Sequence, residues 1–158
     1  MTSAPGTGAI ARAAQARGAT VVGVDIAERM LAIARATSTS EIAFLRADAA
    51  QLALRHASFD VVTCGFALSH MPDVATVLRE TCRVLDVGGR FVASSWGDGS
   101  NPACAAILNA LQRGARPTSS TVADILDERT WADTEHGSRL LAAAGFHVDV
   151  ATEPLQGH

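Results

Sequence analysis

Residues 4–25 read Ala-Pro-Gly-Thr-Gly-Ala-Ile-Ala-Arg-Ala-Ala-Gln-Ala-Arg-Gly-Ala-Thr-Val-Val-Gly-Val-Asp, and this stretch decides the fold. A glycine-punctuated turn gives way at 9–17 to an Ala- and Arg-rich run of high helical propensity, and Gly18 follows as a natural C-terminal stop. Residues 20–24 are then a short apolar run rich in β-branched residues, ending at Asp25, as a buried parallel strand does. Turn, helix and strand in that order are the makings of a βαβ unit.

The same alternation continues outward. Residues 26–36 place Met30, Leu31 and Ala34 on one helical face with Glu28 and Arg35 outward, and the Thr-Ser stretch 37–40 closes the helix. Strands are predicted at 42–46 and 59–64. A helix starts at Pro72 and runs to about Leu85, and Gly88-Gly89 turns the chain into a further strand at 90–95. Beyond Trp96 the pattern changes to loops and helical stretches near 103–112, 121–126 and 137–144, before a last strand at 146–151. Strands alternating with helices predict an α/β fold with a mostly parallel, doubly wound sheet in three α/β/α layers.

Length and composition agree. The chain has 158 residues, the size of one domain, and 48% hydrophobic against 18% charged residues is a globular balance. All 13 residues in the Lys+Arg count are arginine and there is no tyrosine, which excludes Schiff-base chemistry, a Walker lysine and a tyrosine acid/base. A net charge of −3 with scattered arginines predicts no nucleic-acid partner. Cys64, Cys82 and Cys104 lack a CxxC pair, so neither a disulfide framework nor a metal site is expected. No membrane span or secretory signal is expected, and the expected location is the cytoplasm.

Two features point to a ligand. Gly6 and Gly8 precede the first helix, where their N–H groups could approach a polar ligand, although Pro-Gly-Thr-Gly also reads as an ordinary turn. Asp25 ends the next strand, where a carboxylate can accept from two ribose hydroxyls, or can cap the following helix.

With Ala-Pro-Gly-Thr-Gly at 4–8 and Val-Gly-Val-Asp-Ile at 22–26 stand Arg-Ala-Asp-Ala at 46–49 and Ser-Phe-Asp-Val-Val at 58–62. Phe-Ala-Leu-Ser-His-Met-Pro-Asp at 66–73 and Arg-Val-Leu-Asp-Val-Gly-Gly-Arg at 83–90 complete the series. In this order and spacing the chain resembles class I S-adenosylmethionine-dependent methyltransferases, in particular the branch that includes the ubiquinone and menaquinone biosynthesis enzymes. The resemblance implies S-adenosylmethionine as cofactor and a small organic molecule as methyl acceptor. It implies that Ala4, Gly6 and Gly8 pass along the methionine and ribose, that Asp25 holds the ribose and Ile26 packs on the adenine. Asp48 would accept from the adenine amino group beside Ala49, Cys64 and Gly65 would line the methionine end through their backbone, and His70 falls near the acceptor. As an active base His70 competes with a histidine merely satisfied by neighbouring backbone.

The resemblance also sets expectations about what is missing. The family's first acidic position falls on Thr2 and its first glycine on Ala4, and only Met1 to Ser3 stand where a whole central strand belongs. The expected sheet therefore lacks the family's first and last strands, leaving one partial domain over 1–158 with a lid or substrate-facing insertion at 96–135. Losing three or four buried aliphatic side chains forfeits roughly 5–12 kcal/mol, so weak cofactor binding is expected. Two other readings stand beside the enzyme: a non-catalytic remnant that pairs with itself through exposed strand edges, and an NAD(P)-dependent Rossmann oxidoreductase.

Overall fold

A computed structural model describes residues 1–95 and 134–149. In chain order the elements are β1 (Thr2–Ser3), α1 (Ala9–Gln15), β2 (Val22–Asp25), α2 (Glu28–Thr37), β3 (Ala43–Arg46) and β4 (Phe59–Gly65). A 3₁₀ turn (Leu68–His70), α3 (Val74–Val84), β5 (Leu85–Ser94) and α4 (Thr134–Ala143) follow. The five strands form one sheet in the order β3-β2-β1-β4-β5, and every pairing is parallel. This is the predicted Rossmann-like α/β architecture.

The apolar stripes explain how the layers close. On one side Ala11, Val21, Leu31, Ala34, Ile42 and Phe44 form a buried cluster that joins α1 and α2 to the sheet. A second cluster holds Met1, Val24, Leu52, Val62, Val84 and Leu85. Beside it Cys64, Leu68, Val77 and Leu78 pack with Leu140 and Leu141 of α4. Phe91 and Phe146, with ring centroids 5.5 Å apart, tie β5 to the segment after α4.

Several sequence expectations need correction. Most important, the centre of the sheet is filled: Thr2 and Ser3 pair with Gly23 and Val24 on one side and with Thr63 and Cys64 on the other. β1 spans Thr2–Ser3, and Met1 extends its contacts, its N-terminal ammonium donating to the Val61 carbonyl at 2.7 Å and its carbonyl accepting from the Thr63 N–H at 3.0 Å. Thr2 and Ser3 are each only 2% exposed, and their hydroxyls find no hydrogen-bond partner among the described residues. Polar residues thus occupy a place where apolar ones are the norm.

The other corrections are local. Met30 is exposed, since it lies about 100° round the helix from Leu31 and off the Leu31–Ala34 stripe. The helix predicted from Pro72 begins instead at Val74, because the Asp73 carboxylate accepts from the Thr76 N–H at 3.0 Å and acts as N-cap. Gly88 and Gly89 do not precede β5 but sit within it. The register jumps from Phe59↔Leu85 to Val61↔Arg90, so residues 86–89 bulge against the single residue Asp60. The strand predicted at 146–151 is not formed over 146–149, which follow α4 without joining the ladder; its remainder lies outside the described residues. So do the helical stretches predicted near 103–112 and 121–126, and the proposed insertion at 96–135 apart from Thr134 and Glu135, which open α4.

The segment between β3 and β4 makes its crossing without a helix, and two side chains of α3 satisfy its backbone. Glu80 accepts from the Leu52 N–H at 2.9 Å, while Arg83 donates to the carbonyls of Leu52 and Leu54, each at 2.9 Å. Glu80 and Arg83 also pair with each other at 2.7 Å.

Candidate functional site

In an all-parallel sheet every strand delivers its carboxyl end to the same edge, and loops there collect what the strands carry. The chain winds from β1 to β2 on one side and reaches β4 and β5 on the other, so the direction of winding reverses beside β1. A crevice at such a reversal is where ligands bind in open α/β sheets. Residues at the ends of β1, β2, β3 and β4 or just beyond them meet this edge: Ala4, Gly6 and Gly8; Asp25 and Ile26; Asp48 and Ala49; Cys64 and Gly65.

The first loop is held in an unusual shape. Ala4, Gly6 and Gly8 all have positive φ, of 49°, 54° and 86°. Left-handed backbone is easy for glycine and strained for alanine, so Ala4 holds a conformation for which a glycine would be the natural choice. The Ala4 N–H donates to the Val24 carbonyl at 2.8 Å, carrying the ladder one residue past β1. A Cβ added to Gly6 would meet nothing within 4 Å, so the loop presents an open flank there. At Gly8 a Cβ would come within 3.2 Å of both Ala34 Cβ and Arg12 Nη1, so the space is tight and the left-handed backbone adds strain for any other residue.

The expected role of the glycine N–H groups is corrected. The Gly6 N–H donates to Asp25 Oδ2 at 3.3 Å and the Gly8 N–H to the Pro5 carbonyl at 2.9 Å, so both are engaged within the protein. Neither N–H is left unpartnered toward the crevice. Asp25, 9% exposed, also accepts from the Ala27 N–H through Oδ1 at 2.9 Å. It is not the cap of α2, whose N-cap is Ala27. A carboxylate has about four acceptor sites, so two remain after these backbone bonds. Ile26 beside it is 63% exposed, a large apolar side chain left uncovered next to the carboxylate.

Asp48 is exposed and its Oδ1 accepts from the Ala50 N–H at 2.9 Å, which folds the chain into a tight turn and sets Ala49 against the Cys64 cluster. Cys64 itself is buried, and burial pushes its thiol up to about 11 despite hydrogen bonds from the Ala67 and Leu68 backbone. It is a neutral packing group at neutral pH rather than a nucleophile. Gly65 leaves room for Ile10, whose Cδ1 would lie 2.6 Å from a Cβ at that position. His70 is exposed at the end of the 3₁₀ turn, and its backbone N–H donates to the Ala67 carbonyl at 3.1 Å. Among the described residues no group of three or more His, Cys, Asp or Glu side chains could hold a metal ion.

One residue of this edge escaped the sequence reading. Phe66 adopts φ 54°, is 43% exposed, and donates its N–H to the Ser94 carbonyl at 3.0 Å. A bulky residue in left-handed backbone beside a ligand crevice marks stored strain, and nothing in the strand-like pattern of 59–65 signals it.

The groups collected here would suit an adenosyl ligand: an uncovered apolar side chain at Ile26, acceptor capacity on a mostly buried Asp25, and an open glycine flank at Gly6. Among the described residues no helix is long and apolar enough to cross a membrane.

Comparison with known proteins points to one family. Residues 2–93 match the family model described as a methyltransferase domain. The chain is 32% identical over 154 residues to the demethylmenaquinone methyltransferase of Clavibacter sepedonicus, covering 90% of this chain and 63% of that protein. It is 47% identical over 76 residues to the Lactococcus lactis enzyme of the same name, covering 46% of this chain and 30% of that one. The chain thus spans less than two thirds of the length of these curated relatives. Among solved structures, an S-adenosylmethionine-dependent methyltransferase from Mesorhizobium loti is 37% identical with a TM-score of 0.57, covering 61% of this chain and 45% of that one. A candidate methyltransferase from Bacillus halodurans is 25% identical with a TM-score of 0.70 over 94% of this chain and 62% of its own. With the family model covering more than half its length and the parallel sheet that these structures share, the chain belongs to the class I, S-adenosylmethionine-dependent methyltransferase family.

Proposed function

We propose that the carboxyl edge of this sheet binds S-adenosylmethionine and that the protein transfers its methyl group to a small organic acceptor of the demethylmenaquinone kind, in the cytoplasm. The observation that carries this reading is Asp25, a carboxylate at the tip of β2 with two acceptor sites uncommitted, set beside the open flank of Gly6. The acceptor class rests on the names of the relatives, all of which are longer than this chain. We read residues 1–158 as one partial domain, with no nucleic-acid partner.

Bound S-adenosylmethionine supplies an electrophilic methyl group on sulfur, so the protein needs neither lysine nor tyrosine and contributes alignment and exclusion of water. Asp25 would accept from the ribose hydroxyls, and Ile26 would cover one face of the adenine. Asp48 would accept from the adenine amino group beside Ala49. Ala4, Gly6 and Gly8 would let the backbone approach the ribose and methionine, while Cys64 and Gly65 would bound the methionine end by their main chain. His70, exposed at the end of the 3₁₀ turn, would stand near the acceptor, which keeps it as a catalytic candidate.

The oxidoreductase alternative is not favoured, because the family model and the named relatives are methyltransferases. The non-catalytic alternative is not favoured either, because β1 occupies the sheet centre where that reading expected a gap. Isothermal calorimetry of the chain with S-adenosylhomocysteine, alongside thermal shift against NAD, tests the proposal. Saturable binding and a raised Tm with S-adenosylhomocysteine alone are the expected results; stabilisation by NAD alone would reverse the assignment.

A further inference from the structure

Within the loop 5–8 one backbone bond, from the Gly8 N–H to the Pro5 carbonyl at 2.9 Å, is the internal restraint. Two of its residues are glycines in left-handed backbone, its link to Asp25 is a long 3.3 Å bond, and glycine resists ordering more than any other residue. Something outside the loop has to hold Thr7, which lies between the two glycines. Arg12, one turn into α1, donates from Nη1 to the Thr7 carbonyl at 2.8 Å and to Thr37 Oγ1 at 3.0 Å. Thr37, in the last turn of α2, is itself anchored by donating to the Ile33 carbonyl at 2.9 Å. A single guanidinium nitrogen therefore joins three elements: the loop, α1 and the end of α2. It also closes over Gly8, standing 3.2 Å from where a Cβ would lie.

We propose that Arg12 is a positioning residue for the cofactor: by tying the Thr7 carbonyl to Thr37 it fixes the shape of the Gly6–Gly8 loop, and so sets cofactor affinity without touching the ligand. The inference rests on the reading that this loop lines the cofactor site. Arg12 carries a full charge yet bonds here to neutral oxygens of a loop and a helix end, an arrangement that restrains backbone rather than neutralising charge. Its consequence is a coupling between the far end of α2 and the cofactor crevice, through one side chain that the glycine pattern itself does not include.

The test compares Arg12→Met, Arg12→Lys, Thr37→Val and the Arg12→Met/Thr37→Val pair in the 158-residue chain. Calorimetry with S-adenosylhomocysteine gives affinity, thermal melting without ligand gives stability, and amide hydrogen exchange at residues 6–8 reports the loop directly. Arg12→Met should weaken S-adenosylhomocysteine binding by about 5- to 10-fold, the size of one net hydrogen bond lost. Arg12→Lys, which keeps a donor, should recover most of that loss. The double variant should bind no worse than Arg12→Met alone, since both changes break one clamp. A merely structural Arg12 would lower Tm and leave affinity within twofold of the parent, and that result overturns the proposal. Should the parent chain show no S-adenosylhomocysteine binding, the cofactor assignment fails on its own. Hydrogen exchange then decides the clamp: faster exchange at Gly6 and Gly8 in Arg12→Met supports it, and unchanged exchange rejects it. If Arg12→Met does not fold, Arg12→Lys and Thr37→Val carry the same three readouts.

Discussion

The Gly6 N–H donates to Asp25 Oδ2 across 3.3 Å, so the loop after β1 and the tip of β2 meet through one carboxylate. That carboxylate also accepts from Ala27, and the two bonds orient it within the sheet edge. Asp25→Asn keeps the size but replaces one acceptor oxygen with a donor amide, which cannot accept from Gly6 or from a ribose hydroxyl. Calorimetry should show S-adenosylhomocysteine affinity down by about 10-fold in Asp25→Asn and further in Asp25→Ala. Affinity unchanged in both would remove Asp25 from the cofactor site.

Cys64 is expected to be chemically inert in the folded chain. Burial holds its thiol near 11 against an ordinary value of 9.0, so the neutral form is the one the fold favours. The sign follows: between pH 9 and 11 the unfolded chain loses this proton before the folded one does, so the contribution is full below pH 9 and declines as pH rises toward 11. In a variant with Cys82 and Cys104 changed to serine, the parent Cys64 should react with a thiol reagent only as fast as the protein unfolds at pH 8. The stability of this variant should fall between pH 9 and 11 more than that of the same variant with Cys64→Ser. Rapid native-state labelling would show that the thiol is reachable after all.

Much of this was legible in the sequence, and the reasons differ by element. Residues 20–24 and 59–64 read as strands because β-branched and apolar runs in a parallel sheet are buried on both faces, and β2 and β4 form there. Asp25 was recognisable because a charged residue ends an apolar run. What failed was judged by the wrong measure. The sequence predicts no central strand because only Met1 to Ser3 precede the loop, yet ladder hydrogen bonds need only backbone, and neighbours on both sides supply them. The N–H groups of Gly6 and Gly8 looked available because sequence shows a donor and not its partner. The Arg12 clamp was invisible because its two acceptors, Thr7 and Thr37, are 30 residues apart and meet only in the fold.

The Glu80–Arg83 pair should matter more than its partly exposed position suggests. An ordinary surface ion pair contributes about 0–1 kcal/mol. Here Arg83 also holds the carbonyls of Leu52 and Leu54, and Glu80 holds the Leu52 N–H, so removing either side chain unpins a helix-free crossing whose Leu52 side chain is buried. Arg83→Met should lower unfolding free energy by about 1–3 kcal/mol in urea titration, through carbonyls left without donors. A change below about 0.5 kcal/mol would mean that water replaces the guanidinium without loss.

Thr2 and Thr63 stand opposite each other in the parallel ladder between β1 and β4, and both hydroxyls are buried without a partner among the described residues. A buried hydroxyl that finds no hydrogen bond costs roughly 1–3 kcal/mol relative to one that does. Valine has almost the shape of threonine, prefers strands, and replaces the unsatisfied oxygen with a methyl group. Thr2→Val and Thr63→Val should therefore each stabilise the chain by about 1 kcal/mol, seen as an increase in Tm of roughly 2–4 °C at this size. Neither residue touches the Asp25 carboxylate through a hydrogen bond, so S-adenosylhomocysteine affinity should stay within twofold of the parent. Loss of stability in both variants would show instead that an ordered water bridges the two hydroxyls, since removing one partner strands the water and the other hydroxyl together. In that case the Thr2→Val/Thr63→Val double variant should recover part of the loss, because no polar group is then left in the pair to satisfy.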